Sequence, residues 1–369
     1  MSKKDFLFIL YSFLSWRVLL FVILFFAVKS VPLQEHFLGG GMQAYLKSPW
    51  LWNWANFDGE HYLAIAKDGY HLAEQAFFPL YPLLIKLLGG GVWAGLIISN
   101  TSFFLALLGL FKLLKIDFSE KISKSAIILL LLFPTSFYFG AVYTESLFLC
   151  LVVWSFYFFR KEKYLFAGIL GAFASATRII GVILLAVYLI ELFLKKKFRV
   201  IHYSLFIILV GLLAYMFYLY KVYGDPLMFL HALPTFGEQR SSTPILLPQV
   251  IFRYVFKILP NLNYSYFAGT FSTVMEFVVG IMFLVVSIFS FFKLRLSYSL
   301  FLVLGYIIPT LSGSFSSLPR YVLVLFPAFI LFAVWISKTS GLIRFIGYTV
   351  LLICLIVSLS LFSRGYWIS

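Results

Sequence analysis

Residues 164–194 read YLFAGILGAFASATRIIGVILLAVYLIELFL, an apolar run of 31 residues that the basic segment KKKFR at 195–199 follows directly. A helix needs about 20 residues to cross the hydrocarbon core of a membrane, so the run fits either one long tilted helix or two short ones. The choice between them determines on which side of the membrane every later segment lies.

The composition of the whole chain is typical of a membrane protein. Of the 369 residues, 62% are hydrophobic and 12% are charged, with a mean hydropathy of +1.00, whereas soluble domains are about half apolar and about a quarter charged. We therefore predict a single all-α domain over residues 1–369 that crosses the membrane many times. The other apolar runs predict spans near 6–28, 92–114, 125–141, 144–159, 200–222, 271–292, 297–311, 320–337 and 342–362.

Clusters of Lys and Arg predict the topology, because basic loops remain in the cytoplasm. These clusters lie at 3–4, 112–124, 160–163 and 195–199. All four share one side only if the run 164–194 breaks near 176–181, which brings Arg178 to the opposite face. The result is about 11 transmembrane helices, with a cytoplasmic N-terminus and an extracytoplasmic C-terminus. Topology thus accounts for the net charge of +15, and no nucleic-acid partner is expected.

Two long stretches, 29–91 and 223–270, emerge on the extracytoplasmic face in this topology, and we expect short interfacial helices in them. Residues 77–88 are apolar but too short to span, which favours a place in the membrane interface. Two prolines, Pro79 and Pro82, argue against a regular helix through the first half of this segment.

The first long stretch concentrates acidic residues. Asp58, Glu60 and His61 lie within four positions, although the whole chain has only 14 Asp and Glu. A carboxylate beside a membrane can act as a general base toward a hydroxyl or as a metal ligand, and a neighbouring His can tune either role. Trp54 and Tyr62 flank the acids, and aromatics that alternate with acids commonly hold sugar rings. A solvated loop with incidental acids is the alternative.

Three isolated charges elsewhere reach the same face. Glu145 lies within or next to the membrane, where a carboxylate is costly and therefore suggests a function; a helix N-terminal acid is the alternative. Arg178 and Arg320 each lie alone at the outer end of an apolar span. Guanidinium groups bind phosphate bidentately, so both are candidates for a phosphate site, with snorkelling to the interface as the alternative.

Other features add less. Four charged residues of the second long stretch are weaker candidates, since an exposed loop carries charges in any case: His231, Glu238, Arg240 and Arg253. The two cysteines lie inside apolar spans and support neither a disulfide nor a thiolate metal site. The sequence has no Walker A, Gly-x-Gly-x-x-Gly or His-Glu-x-x-His motif. A donor that is already in the membrane, such as a polyprenyl-phosphate sugar, meets the needs of an outer-face site.

The first long stretch also resembles a known family. Residues 57–70, FDGEHYLAIAKDGY, and 76–83, AFFPLYPL, resemble the first luminal loop of the GPI mannosyltransferase II family, the phosphatidylinositol-glycan class V type. Three further segments resemble family features in the same order: 134–146, 174–181 and 318–321. Phe57 stands where the family usually has Trp, and the chain is shorter than the eukaryotic enzymes. It therefore looks like a prokaryotic homologue, in the plasma membrane rather than the endoplasmic reticulum.

The resemblance implies a GT-C type glycosyltransferase, which takes mannose from a polyprenyl- or dolichyl-phosphate donor on the extracytoplasmic side and inverts the anomeric centre. It implies that Asp58 is the catalytic base and that the acceptor is a glycan or glycolipid. No metal cofactor is expected, because protein cations can handle a monophosphate leaving group. The predicted substrate-binding residues are Trp54, Glu60, His61, Tyr62, Tyr143, Glu145, Arg178, Arg320 and Tyr321.

Two other functional classes compete with a transferase. A transporter or flippase of a lipid-linked sugar would also use an aromatic groove, but it predicts intramembrane charge pairs and a site between repeats, and no repeat is visible. A non-catalytic membrane partner is the third class. The joint presence of Asp58, Glu60 and His61 argues against it.

Overall fold

A computed structural model describes residues 1–71, 73–232 and 244–368. This part of the chain is all-α and contains no strand. Its helices are α1 (Lys3–Ser30), α2 (Gly41–Lys47), α3 (Pro49–Trp52), α4 (Asp58–Asp68), α5 (Leu80–Leu87), α6 (Gly91–Leu114), α7 (Glu120–Leu132), α8 (Glu145–Arg160), α9 (Tyr164–Thr177), α10 (Ile183–Leu194), α11 (Ile208–Tyr223), α12 (Met228–His231), α13 (Leu247–Arg253), α14 (Phe267–Lys293), α15 (Leu296–Thr310), α16 (Leu318–Tyr321), α17 (Phe326–Ser337) and α18 (Gly341–Ser363).

Several of these helices identify a multi-pass membrane protein. Within the described ranges, five helices are long and apolar enough to cross a membrane: α1, α6, α11 with the turn before it, α14 and α18. A bent pair, 318–324 and 326–337, forms a sixth candidate with an angle of 86° between its halves. Since α9, α10 and α15 are shorter apolar helices, the count of 11 crossings stays a prediction.

The predicted break in the run 164–194 is confirmed. Helix α9 ends at Thr177, Arg178 is extended, and α10 begins at Ile183 after a short 3-10 helix. Gly181 permits this tight reversal, because a Cβ there would lie 2.5 Å from the backbone carbon of Ala174. A residue with a side chain would force the two helix ends apart.

Contacts at their outer ends show that α9 and α10 run out and back rather than in one direction. Glu191 near the end of α10 pairs with Lys195 and Arg295, and Arg160, just before α9, pairs with Asp117. The ring of Tyr164 at the start of α9 contacts His202 at a centroid distance of 4.2 Å. The start of α9 and the segment after α10 therefore lie at the same end of the bundle, which we call the basic end.

The span predicted at 125–141 is wrong in its second half. Helix α7 ends at Leu132 because Phe133 is extended, as the residue before a proline prefers to be. Residues 133–144 instead form an irregular connection with one 3-10 helix, Ser136–Gly140, and every residue of the connection is buried. The connection between α7 and α8 thus runs inside the protein at the end opposite the basic end.

Short helices occupy both long stretches, as predicted, but the expectation for residues 77–88 needs correction. Helix α5 begins at Leu80, within the first half of this segment, and Pro82 lies in its first turn. The first amides of a helix have no intrahelical acceptor, so a proline in that turn costs no hydrogen bond. The two prolines therefore start this helix rather than prevent it.

Candidate active site

The turn that precedes α4 is strained and tightly held. Phe57 adopts a φ of +57° and a ψ of −122°, which is costly for a large side chain and persists only where the surroundings enforce it. Asn56 supplies much of that enforcement and is fully buried. Its Oδ1 accepts a hydrogen bond from Gly39 N at 2.8 Å, and its Nδ2 donates to Phe362 O at 2.9 Å.

A third hydrogen bond connects this turn to the connection between α7 and α8. Tyr143 Oη donates to Asn56 O at 2.8 Å. The turn is therefore held by the first long stretch, by the end of α18 and by the connection at once. Asp58 is the first residue of α4, directly after this turn, so its carboxylate has a defined position.

Four predicted residues form one chain of alternating charge, which we call the ion-pair cluster: Asp58, Arg320, Glu145 and Arg178. Asp58 Oδ2 lies 2.6 Å from Arg320 Nη1, and Arg320 Nε lies 3.6 Å from Glu145 Oε1. Glu145 Oε1 lies 3.1 Å from Arg178 Nη1. Two carboxylates and two guanidinium groups balance, so the cluster carries no net charge.

The ion-pair cluster has unused hydrogen-bonding capacity. The side chain of Glu145 is 2% exposed and that of Arg320 is 8% exposed. Glu145 Oε2 and Arg320 Nε nevertheless have no hydrogen-bond partner within the described part of the chain. Asp58 and Glu145 are also the first residues of α4 and α8, where the helix dipole favours a carboxylate. The helix dipole and the arginine partners therefore both stabilise the negative charge of Glu145.

Aromatic rings surround the two guanidinium groups. Arg320 lies over the rings of Tyr138, Tyr143 and Tyr321 at 5.6, 5.5 and 5.2 Å from their centroids. Arg178 lies over Tyr321 at 5.3 Å. The position of Tyr138 was not predicted as part of the site, although the residue belongs to the same aromatic-rich segment as Tyr143. The faces of these rings attract the guanidinium groups and offset part of the cost of burying their charge, without further carboxylates.

Tyr62 packs beside the ion-pair cluster rather than in it. Its hydroxyl lies 3.4 Å from Thr144 Oγ1, and its ring meets the ring of Tyr143 edge-on at 6.3 Å. Thr144 directly precedes Glu145. The aromatic side chain thereby supports the start of α8.

Two predicted residues of α4 point elsewhere. His61 Nδ1 lies 3.2 Å from Glu74 Oε1, and its ring stacks on Phe77 at 4.9 Å. Glu60 is half-buried, and burial raises its pKa, an effect that the Gly41 amide and His61 oppose. Successive helix residues are about 100° apart, so a carboxylate two positions after Asp58 faces nearly the other way.

Trp54 is also separate from the ion-pair cluster. It is 1% exposed, and its ring lies 4.4 Å from the guanidinium carbon of Arg17 in α1 and edge-on to Phe21. A sugar cannot stack on a ring that is already covered in this way. The structure thus gives Trp54 a packing contact where sugar stacking was predicted.

The weaker candidates of the second long stretch have local partners. Arg253 Nη1 donates to Gly313 O at 2.8 Å, and His231 Nδ1 lies 2.6 Å from Asp225 Oδ2. Glu238 and Arg240 lie outside the described residues. In the part of the chain that the structure describes, no three His, Cys, Asp or Glu side chains form a possible metal site. Metal independence stays a prediction.

An apolar groove lies beside α4. It has a volume of about 750 Å³ and runs between α4 and α5 on one side and α9 and α11 on the other. Its lining includes Ile65 of α4 and Ala176, which is two positions before Arg178. Lys86 is the one charged residue in the described lining. Two helices that line the groove thus also belong to the surroundings of the ion-pair cluster: α4 begins at Asp58, and α9 ends one residue before Arg178.

The fold is shared with solved membrane proteins. ArnT from Cupriavidus metallidurans, solved bound to undecaprenyl phosphate, superimposes with a TM-score of 0.55 and 14% identity over 94% of this chain and 63% of ArnT. ArnT is a glycosyltransferase of the GT-C superfamily. This chain has a GT-C fold. It spans about three-fifths of the length of ArnT.

An oligosaccharyltransferase from Archaeoglobus fulgidus, solved with a tethered acceptor peptide, matches with a TM-score of 0.45 and 14% identity over 96% of this chain and 55% of that one. No protein-family model and no curated protein matches the sequence. The predicted GT-C architecture is confirmed. Membership of the GPI mannosyltransferase II family stays a prediction.

Proposed function

We propose that the protein is an inverting glycosyltransferase that moves mannose from a polyprenyl- or dolichyl-phosphate-mannose donor to a glycan or glycolipid acceptor on the extracytoplasmic face. The observation that carries this proposal is the ion-pair cluster. It places the carboxylate of Asp58 2.6 Å from a guanidinium group that lies 262 positions away in the sequence. A proton acceptor and phosphate-binding cations are the two groups that such a transfer needs.

In the proposed reaction, the hydroxyl oxygen of the acceptor attacks the anomeric carbon, and Asp58 accepts the proton of that hydroxyl. The bond from that carbon to the phosphate oxygen breaks on the opposite face, and the lipid phosphate leaves with the electron pair. Arg320 and Arg178 stabilise the charge that develops on this phosphate, since guanidinium forks match phosphate oxygens. The Oε2 atom of Glu145, which has no partner in the described structure, accepts a hydrogen bond from a hydroxyl group of the sugar.

The apolar groove supports a lipid-linked donor. Its lining is almost wholly hydrocarbon, and Ala176 in one wall is two positions before Arg178 in the sequence. A polyprenyl chain that lies in the groove brings its phosphate toward that arginine. ArnT was solved with a ligand of this kind, undecaprenyl phosphate. Mannose as the sugar follows from the resemblance of residues 57–70 and 76–83 to the GPI mannosyltransferase II family.

Transfer of radiolabelled mannose from synthetic polyprenyl-phosphate-mannose to extracted membrane lipids and glycans tests the proposal. We expect Asp58→Asn to fold normally and to lower the transfer rate by a factor of roughly 10² or more, the scale on which loss of a general base acts. Lys67→Gln is the matched control, because Lys67 lies on the same helix with a side chain that is 82% exposed.

Two results would contradict this function. Asp58→Asn with near-normal transfer removes Asp58 as the base. A wild-type protein that transfers no mannose from this donor, with any extracted acceptor, removes the donor assignment.

One observation favours the alternative of a lipid-linked sugar transporter. Glu145 and Arg178 form an ion pair at 3.1 Å with side chains that are 2% and 16% exposed, and transporters use such buried pairs in their pathways. Vesicles that contain the purified protein distinguish the two functions. A transporter moves the intact lipid-linked sugar across the bilayer, whereas a transferase cleaves the bond between sugar and phosphate.

A further inference from the structure

Helix α1 carries a charge that has no ion-pair partner among the residues the structure describes. Arg17 is near the middle of this helix, which spans Lys3–Ser30. In the described part of the chain no carboxylate forms an ion pair with it, and its buried Nη1 atom has no hydrogen-bond partner. Charged side chains within membrane helices almost always have a partner, because leaving them unpaired is costly. Any anionic partner of Arg17 therefore lies outside these residues.

The contacts that Arg17 does make are aromatic. Its guanidinium carbon lies 4.4 Å from the ring centroid of Trp54, 4.9 Å from that of Phe21 and 6.0 Å from that of Trp16. These rings stabilise a cation but offer no oxygen to accept its N–H groups. They hold the guanidinium in place and leave its hydrogen bonds unmade.

The neighbouring backbone leaves room for this guanidinium. A Cβ atom on Gly140 would lie 2.1 Å from Arg17 Nη1, so only glycine at this position permits the observed place of the side chain. Gly140 ends the 3-10 helix Ser136–Gly140 and is five positions before Glu145. Arg17 thus lies next to the same connection that supports the ion-pair cluster.

Arg17 lies at the edge of the buried face of α1: its Nη1 atom is buried, but the residue as a whole is not. It is partly exposed and lies on α1 between a buried stripe that contains Trp16 and Leu20 and an exposed stripe that contains Leu14, Val18 and Phe21. At 1.5 Å per residue, Arg17 is about 21 Å along the helix from its first residue. Glu145 is at a similar height, about 22 Å from the far end of α8.

We propose that Arg17 binds the phosphate group of a membrane lipid. A phosphate oxygen pair accepts two parallel N–H groups of a guanidinium, which supplies both the missing charge and the missing acceptors. The ion-pair cluster is neutral by itself, whereas Arg17 adds a positive charge at the same depth. The lipid is either an acidic phospholipid of the surrounding bilayer or a polyprenyl phosphate, and both present the same group. The proposal holds for a transferase and for a transporter alike.

Native mass spectrometry of the purified protein in lipid nanodiscs tests it. The probes are phosphatidylglycerol and undecaprenyl phosphate, each titrated into phosphatidylcholine. We expect Arg17→Gln to weaken retention of at least one probe by about tenfold, the scale of one lost charge-assisted contact. Gly140→Ala keeps the charge but displaces the guanidinium, so the same loss is expected. Lys29→Gln is the control, since Lys29 is exposed on the same helix and also lies over a ring, that of Phe25.

The outcomes distinguish an acidic phospholipid, a polyprenyl phosphate and a mere packing role of Arg17. Loss with phosphatidylglycerol assigns the site to bulk acidic lipid, and loss with undecaprenyl phosphate alone assigns it to a lipid-linked ligand. Equal retention of both probes by Arg17→Gln and wild type overturns the proposal and leaves Arg17 with a packing role. Retention that falls in Arg178→Gln but not in Arg17→Gln overturns it as well, because the phosphate then lies at the ion-pair cluster. If Arg17→Gln does not fold, Gly140→Ala alone decides by the same criterion.

Discussion

Asn56 is the residue that most directly determines the position of Asp58. Its side chain satisfies Gly39 N and Phe362 O, both of them buried, and it precedes the strained Phe57. We predict that Asn56→Ala lowers the free energy of unfolding by about 2–3 kcal/mol, because each buried partner left unpaired costs about 1–3 kcal/mol. We also expect the turnover number for sugar transfer to fall at least tenfold, since small displacements of a reacting group are costly.

Asn53→Ala is the matched control for this prediction. Asn53 is also fully buried, but its side-chain atoms have no hydrogen-bond partner in the described structure. Thermal unfolding and single-turnover transfer should therefore change much less than in Asn56→Ala. Equal losses in the two variants would show that burial, and not the hydrogen bonds of Asn56, holds the turn.

Single residues of the ion-pair cluster could be predicted because charge is scarce in this sequence. Asp58, Glu145, Arg178 and Arg320 each stand out as isolated charges at the ends of apolar runs. Their pairing could not be predicted, since Asp58 and Arg320 meet across 262 positions of sequence. Glu60 was grouped with Asp58 because the first residue of α4, which fixes their directions, is not visible in the sequence.

Glu74 is a partner of His61 that could not be predicted from the sequence. It holds both His61 Nδ1 and the backbone amide of His71. Nothing in the spacing of His61 and Glu74, which are 13 positions apart, indicates that the chain folds back between them. The partner of His61 therefore became visible only in the structure.

At the scale of elements, the reversal between α9 and α10 places Arg178 beside Glu145. We predict that Gly181→Ala lowers the free energy of unfolding by about 1–3 kcal/mol, the cost of overpacking, because the new Cβ meets backbone atoms of Ala174 and Ser175 at 2.5 Å. Displacement of the helix end also moves Arg178, so sugar transfer should fall. Thermal unfolding and the transfer assay measure the two effects.

Gly347→Ala serves as the control for that change. Gly347 lies in α18, and a Cβ there would make one ordinary contact, 3.7 Å from Ile336 Cδ1. Alanine is a better helix former than glycine, so this variant should unfold at the same temperature or higher. If Gly181→Ala were equally harmless, the reversal would not depend on the close approach to α9.

The apolar pattern predicted that these elements exist but not their lengths. The run 125–141 looks like one span, yet its helix stops at Leu132 because of Pro134. The connection that follows is as apolar as a helix and is buried throughout. Hydropathy alone cannot distinguish a buried irregular segment from a membrane helix, since both consist of the same residue types.

At the scale of the molecule, short helices recess the candidate site. Helices α7, α8 and α9 have 13, 16 and 14 residues, which correspond to about 20, 24 and 21 Å, whereas the hydrocarbon core is about 30 Å thick. If the basic end lies at one membrane surface, we therefore expect the ion-pair cluster at their far ends to lie below the opposite surface. In that case, we expect the proposed lipid-linked donor to approach it sideways, from the side of the apolar groove, without leaving the bilayer.

The orientation of the whole molecule gives the last prediction. The basic end carries residues 195–199 and the ion pairs of Arg160 and Glu191, so the excess of Lys and Arg predicts that this end lies in the cytoplasm. In a background without Cys150 and Cys354, we expect Lys67→Cys to react with a membrane-impermeant maleimide in intact cells. Lys197→Cys should react only after permeabilisation. External labelling of Lys197→Cys together with protection of Lys67→Cys would invert the molecule, and a donor sugar would then have to be presented on the cytoplasmic face.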